Sequence, residues 1–498
     1  MTTPVEPTPP PRNTAASDRN PSGKSFLGQP GMLANLFSVE LWERFSFYGM
    51  QVVVLLYMYF EVSDGGLGID EGIATGIIGA YGGTVYLSTI LGAWVADRLL
   101  GPERVLFYTA IMIMCGHLAL SLVPGIPGLA LGLVLVAIGS GGLKATASSL
   151  VGSLYSLDDD RRDAGFSIFY MGVNIGGLFG PLLTGLTRDN FGFHFAFGLA
   201  AVGMAIGLLQ YALTRKNLPE ESHRVANPLP RNKFPMMIGI AIAGIAVIVL
   251  SVLTGLVNPG NLASVVAGVA IVAAVIYFVV ILSSKGIDHT ERRRVYSFIP
   301  MFIASAAFFS LFQQQFTVVT LYADKRLDRT IAGWQMPIEW VTSFNPAFII
   351  ILAPIFAMVW TKLGSRQPIT PTKFAIGLAV MALAIFAFIP LAGGGPNSTP
   401  LLAMIGILFL FTVAELMISP VGLSLSTKLA PRVFQTQMVA LNYLSVSLGT
   451  AMSGVLAGFY NPENEIPYFG AIGVVTIILA VALAVGAKPI KKLMTGVH

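Results

Sequence analysis

The chain has 498 residues, 54% hydrophobic and only 11% charged, with a formal net charge of +5. Soluble proteins carry roughly 25% charged residues, so this composition excludes an ordinary soluble enzyme. The basic residues sit in loops between apolar runs and give no reason to expect nucleic acid, and the single cysteine, Cys115, excludes an intrachain disulfide.

Residues 1–30 are polar and proline-rich, with Pro7-Thr8-Pro9-Pro10-Pro11. They are expected to form a disordered cytoplasmic tail, not a cleavable signal peptide. Beyond them come fourteen apolar spans, at about 33–60, 72–97, 104–123, 128–152, 163–187, 192–213, 235–257, 262–284, 297–322, 338–361, 373–392, 400–427, 433–459 and 467–487. A helix crosses the hydrocarbon with roughly 20 residues. The expected fold is therefore an all-α polytopic membrane protein. A six-helix bundle (31–214) and a basic linker with a two-helix insertion (215–295) precede a second six-helix bundle (296–488) and a cytoplasmic tail (489–498). The inserted pair contains no Asp, Glu, Lys, Arg or His. Of the 30 Lys and Arg, this parse puts 24 on the side of the N-terminus and four (Arg188, Lys325, Arg326, Arg329) on the other. By the positive-inside rule both termini are cytoplasmic, in a cell membrane.

The first span holds Glu40, Glu43 and Arg44. A charge near the centre of a spanning helix costs roughly 2.5–3.5 kcal/mol. Spacings of three and four crowd all three onto one helix face. That face must look into protein or a water-filled cavity, where an ionisable group marks a functional site. Lys144 follows Gly139-Ser140-Gly141-Gly142-Leu143 in the fourth span, and Glu415 lies in the span at 400–427. Three acids and two bases, drawn from both halves, suit proton exchange and the binding of a zwitterion between the bundles. Tyr48, Tyr86, Asn174, Gln313, Gln314, Gln315 and Asn345, which precedes Pro346, are uncharged polar groups beside them. Gly172, Gly176, Gly177 and Gly180 are expected to allow close helix contact. His117 and His289 read as a packed and a solvated residue.

These stretches closely resemble the proton-dependent oligopeptide transporter family, over about residues 31–488. Glu40-Leu-Trp-Glu43-Arg44-Phe-Ser-Phe-Tyr48-Gly49 looks like its first-span motif, and Asp163 to Gly176 like its fifth-span signature. Gly142-Leu-Lys144 and Glu415-Leu-Met-Ile-Ser419-Pro420 match two further motifs; Gly92 to Gly101, with Asp97-Arg98, resembles the loop signature of the major facilitator superfamily. The resemblance implies a major facilitator fold that imports di- and tripeptides with protons by alternating access. It implies a proton-coupling cluster of Glu40, Glu43 and Arg44, with Arg44 and Lys144 on the peptide carboxylate. Glu415, Asn174 and Asn345 would hold the amino group, Tyr48 and Tyr86 would line the pocket, and Lys144 would pair with Glu415 when the site is empty. No cofactor beyond the coupling protons and no metal is expected; the partners are peptide, protons and lipid, and the sequence leaves the oligomeric state open, a monomer being compatible with it. Three positions depart from the family pattern: Gln51 and Gln313 replace a charged outer-gate pair by a neutral hydrogen bond, Phe309 replaces a tryptophan, and Asn442 replaces another in a side-chain pocket. These changes keep open a second cargo, another small anion or zwitterion such as nitrate or a modified amino acid. A non-transporting peptide receptor would need a larger soluble segment. No nucleophile or metal-ligand pattern supports an enzyme.

Overall fold

The structure, a computed structural model, describes residues 25–156, 159 and 161–495. Among them are fourteen long helices: α1 (Met32–Tyr59), α2 (Glu71–Val95), α3 (Pro102–Leu122), α4 (Gly125–Ser153), α5 (Arg162–Phe191), α6 (Phe193–Thr214), α7 (Phe234–Leu253), α8 (Leu262–Ser283), α9 (His289–Phe312), α10 (Trp340–Leu363), α11 (Thr370–Phe386), α12 (Leu401–Lys428), α13 (Gln435–Ala457) and α14 (Ile466–Leu493). Thirteen of the membrane-length helices are apolar enough to span; α1 has the length but carries Glu40, Glu43 and Arg44 in its middle. Local chemistry sets the ends. Asp70 caps α2 by accepting from the amides of Gly72 and Ile73, and Asp288 and Glu291 form a capping box at α9. Gly101 and Gly192 take positive φ of 83° and 93° where α3 and α6 begin.

Successive helices alternate in direction, so the start of α1 and the end of α14 share one face, here the near face; the opposite one is the far face. The bundles α1–α6 and α9–α14 pair chiefly through α2 against α13 and α5 against α10. Within the first bundle, Gly172, Gly176 and Gly180 of α5 lie directly on α1. A Cβ on Gly180 would meet the Phe45 carbonyl, so Gly180→Val is expected to cost about 1–3 kcal/mol by overpacking. Thermal unfolding in detergent checks this; an unchanged midpoint would deny the close approach.

Several boundaries differ from the sequence reading. Residues 25–30, assigned to the disordered tail, form a small hairpin in which Ser25–Phe26 pairs with Gln29–Pro30. Leu27 and Gly28 turn it with positive φ, and Gln29 accepts from the Tyr155 hydroxyl, tying it to the bundle. The last span continues as helix to Leu493, past the expected tail boundary, and the second bundle begins at His289. The span at 297–322 is broken. Gln313–Phe316 form a 3₁₀ turn before a short helix, Val318–Lys325. The Gln313 amide bonds to Thr450, and Gln314 bonds to the Ser310 and Ser453 carbonyls and to Tyr468. These neighbours stabilise a turn that helix continuation would lose.

The inserted helices behave differently from each other. Every α7 residue except Met237 and Ser251 is exposed, and none is buried. By contrast, α8 lies along the seam, where Val266 touches the same Gly83 position of α2 as Ala451 of α13.

Candidate functional site

On α1 the Arg44 Nε donates to Glu40 Oε1 at 3.0 Å, and Arg44 Nη2 lies 2.6 Å from Glu43 Oε2 in a charge contact without hydrogen-bond alignment. Glu43 is wholly buried, and neither of its carboxylate oxygens has a hydrogen-bond partner among the described residues. A buried carboxylate depends on a nearby cation for its stability, so Glu43 depends on Arg44. The buried Ser140 hydroxyl of α4 is also without a partner among the described residues.

Two cations lie over one ring. The Arg44 guanidinium carbon lies 5.4 Å from the Phe47 centroid and Lys144 Nζ 4.8 Å from it, with Tyr86 5.7 Å from the same ammonium. Such contacts stabilise a cation by about 0.5–2 kcal/mol, less than a paired carboxylate does. Across the seam, Asn345 Nδ2 donates to Glu415 Oε2 and to Thr412 Oγ1, each at 3.0 Å. Pro346 follows within the same helix, and Asn345 on α10 thereby links α10 to α12.

A cavity of about 270 Å³ opens between these walls. Of the fifteen residues singled out from sequence for this site, Glu40, Arg44, Tyr48, Gln51, Tyr86, Lys144, Asn174, Phe309, Gln313, Gln315, Asn345, Glu415 and Asn442 line it, and Gln314 does not. Glu43 stands behind Arg44, out of the cavity. Asn174 Nδ2 is held by the Tyr170 carbonyl, and the Asn442 side chain makes no hydrogen bond within the described protein. Sequence reasoning missed Tyr170 and Tyr443, which also line the cavity. Their only signal was position, one inside the fifth-span signature and the other next to Asn442. The result is bipolar: two cations on the first bundle and a carboxylate on the second, suited to an ion with separated charges.

Two expected pairings are absent. Lys144 and Glu415 form no ion pair among the described residues; aromatic faces take the one and Asn345 the other. The bundles are apart at the near face, where Tyr170 and Leu423 of the lining are exposed. Gln51 and Gln313 are not bonded to each other either. Gln313 donates to Thr450 at 3.1 Å, because the 3₁₀ turn brings its amide against α13, and the Gln51 carbonyl oxygen has no partner among the described residues.

Closure at the far face is charged instead. Arg188 Nε and Nη2 donate to Glu339 at 2.6 and 2.9 Å, Lys325 Nζ lies 2.6 Å from Glu71, and Tyr59 donates to Asp324 at 2.8 Å. Each joins the first bundle to the second. The Arg188–Glu339 fork is bidentate, with Glu339 wholly buried. Removing one partner of a buried pair costs about 3–5 kcal/mol, comparable to the ~5.5 kcal/mol that inverts a 1:99 equilibrium. Glu339→Gln is therefore expected to open the far face. Spin labels on the exposed Val62 and Ile331, one from each bundle, would report a longer and broader distance; an unchanged one would remove the clamp from this role.

The PTR2 family profile, described as POT family, matches residues 103–475. The chain is 42% identical over 478 residues to the uncharacterized transporter YclF of Bacillus subtilis, covering 95% of this chain and 97% of that protein. It is 38% identical over 494 residues to the di-/tripeptide transporter of Lactococcus lactis subsp. cremoris, covering 96% and 99%. Among solved structures, a crystal structure of the peptide transporter POT in complex with sulfate superposes with a TM-score of 0.91 at 43% identity, covering 95% of this chain and 97% of that one. A POT family transporter in complex with 5-aminolevulinic acid gives 0.88 at 36% identity, covering 94% and 98%.

Proposed function

The chain belongs to the POT family, a family of transport proteins and not enzymes, and on that premise we propose that it imports di- and tripeptides by proton symport across the cell membrane. One observation carries the reading: the cavity between the bundles sets Arg44 and Lys144 on one wall and Glu415, held by Asn345, on the other. A peptide carboxylate sits against the two cations and its ammonium against Glu415 and Asn174, with Tyr48 and Tyr86 along the backbone between. Both termini and the near face are cytoplasmic, so this state is closed outside and open inside. The coupling ion is the proton and no other cofactor takes part.

Coupling follows from the α1 cluster. A bound carboxylate draws Arg44 from Glu43, which then stands buried without a cation. A proton on Glu43 restores neutrality, so peptide and proton are bound together. When Arg44 is released inside, it pairs with Glu43 again and displaces the proton.

The test is uptake of labelled dialanine into proteoliposomes with and without an inward proton gradient. Accumulation against its own gradient, blocked by excess unlabelled dipeptide, supports the reading, and failure of dipeptides to compete overturns it. The Asn442 amide, which lines the cavity and makes no hydrogen bond among the described residues, favours the second reading, a small polar zwitterion or anion. A thermal-shift screen of such compounds tests that reading if dipeptides do not compete.

A further inference from the structure

A second cavity, of about 460 Å³, lies at the far face beside the clamp. Leu186, Arg188 and Asp189 of the first bundle line it, facing Asp324, Arg329 and Trp334 of the second. The charges in it are unevenly matched. Arg188 is committed to Glu339 and to Asp189, whose Oδ1 lies 2.9 Å from Arg188 Nη1. Arg329 has no such partner: its Nη1 donates to the Met336 carbonyl at 2.6 Å, its buried Nε bonds to nothing, and no carboxylate stands within ion-pair distance among the described residues. Burial accordingly holds the Arg329 guanidinium below the usual arginine range. Asp324 uses one oxygen to accept from Tyr59, and Asp189 keeps 36% of its side chain exposed. Trp334, 44% exposed, offers an aromatic plate with its back to Trp340.

A half-buried cation lacking an anion, two part-free carboxylates and an aromatic surface within one cavity match one kind of ligand. We propose that this vestibule is a docking site for small zwitterions bearing an apolar side chain, used before the far face opens. The proposal rests on the cargo reading above. The ligand carboxylate takes Arg329, its ammonium takes Asp189 and Asp324, and its side chain lies on Trp334. The docked carboxylate also stands beside Arg188 and competes with Glu339 for it, so docking weakens the clamp that keeps the far face shut. Because the walls come from both bundles, the vestibule is complete only while that face is closed.

The experiment uses the full-length protein, with dialanine as probe and Arg329→Gln, Trp334→Ala and Glu415→Gln as variants. Calorimetric titration in nanodiscs is expected to resolve two classes of binding. The tighter is lost in Glu415→Gln, and the weaker in Arg329→Gln and Trp334→Ala. In proteoliposomes of fixed orientation, Arg329→Gln should raise the KM for influx from the far face about tenfold or more, the loss of one charge-assisted hydrogen bond. The KM for efflux from the near face should stay as in the parent. A merely structural role for Arg329 would lower the melting temperature and shift both directions alike, which would overturn the proposal. So would a single binding class untouched by Arg329→Gln. Absence of any dialanine binding or uptake would overturn the cargo reading and this site with it, whereas intact central binding without the weaker class would overturn this site alone.

Discussion

Glu43→Gln is expected to lose gradient-driven accumulation of peptide while still exchanging labelled for unlabelled peptide across the membrane. The carboxylate of Glu43 is wholly buried, lies 2.6 Å from Arg44 in a charge contact and has no hydrogen-bond partner among the described residues. It is therefore stable as an anion only while Arg44 faces it. Glutamine keeps the volume and removes the charge, so Arg44 is free for the cargo at all times and no proton has to accompany it. Each unit of pH difference contributes about 1.4 kcal/mol per proton, a factor of ten in the accumulation ratio. In the variant that ratio should fall to unity whatever the gradient. Accumulation in Glu43→Gln that still follows the pH difference would remove Glu43 from the coupling step. Glu40 does not substitute for it, because its Oε1 is already bonded to Arg44 Nε, one helical turn away.

Lys144→Ala is expected to abolish useful peptide uptake without unfolding the protein. Its ammonium rests on Phe47 and Tyr86 and neutralises no carboxylate among the described residues. Alanine there strands no buried charge, and the melting temperature should move little. What disappears is a charge-assisted bond to the cargo carboxylate, about 1.5–3 kcal/mol, or a loss of roughly 10- to 150-fold in apparent affinity. Arg44→Ala would behave differently: it leaves Glu40 and Glu43 buried without a cation and should destabilise the fold by about 3–5 kcal/mol. Paired measurements of dialanine binding and thermal unfolding separate the two effects. A Lys144→Ala protein that unfolds early would mean that Lys144 holds helices together.

Sequence alone determined the membrane architecture and nearly all of the cavity lining. Fourteen long apolar runs can bury their backbone groups only as helices, and charges at spacings of three and four must leave lipid by a common face. That is why Glu40, Arg44, Lys144 and Glu415 could be read as one site although they come from opposite halves. The glycines of α5 were legible for the same reason, since a run of small residues in a spanning helix signals close approach. Which partners those side chains take was decided by tertiary structure. Glu415 turns to Asn345 and Lys144 to aromatic faces because the bundles stand apart at the near face. Gln313 turns to Thr450 because its helix breaks into a 3₁₀ turn at that point. The far-face clamp was invisible for a related reason: Arg188 and Glu339 are 151 residues apart and each reads as an ordinary charge at a helix end. Periodicity assigns a residue to a face of its own helix, but the conformation of the two bundles chooses what that face meets.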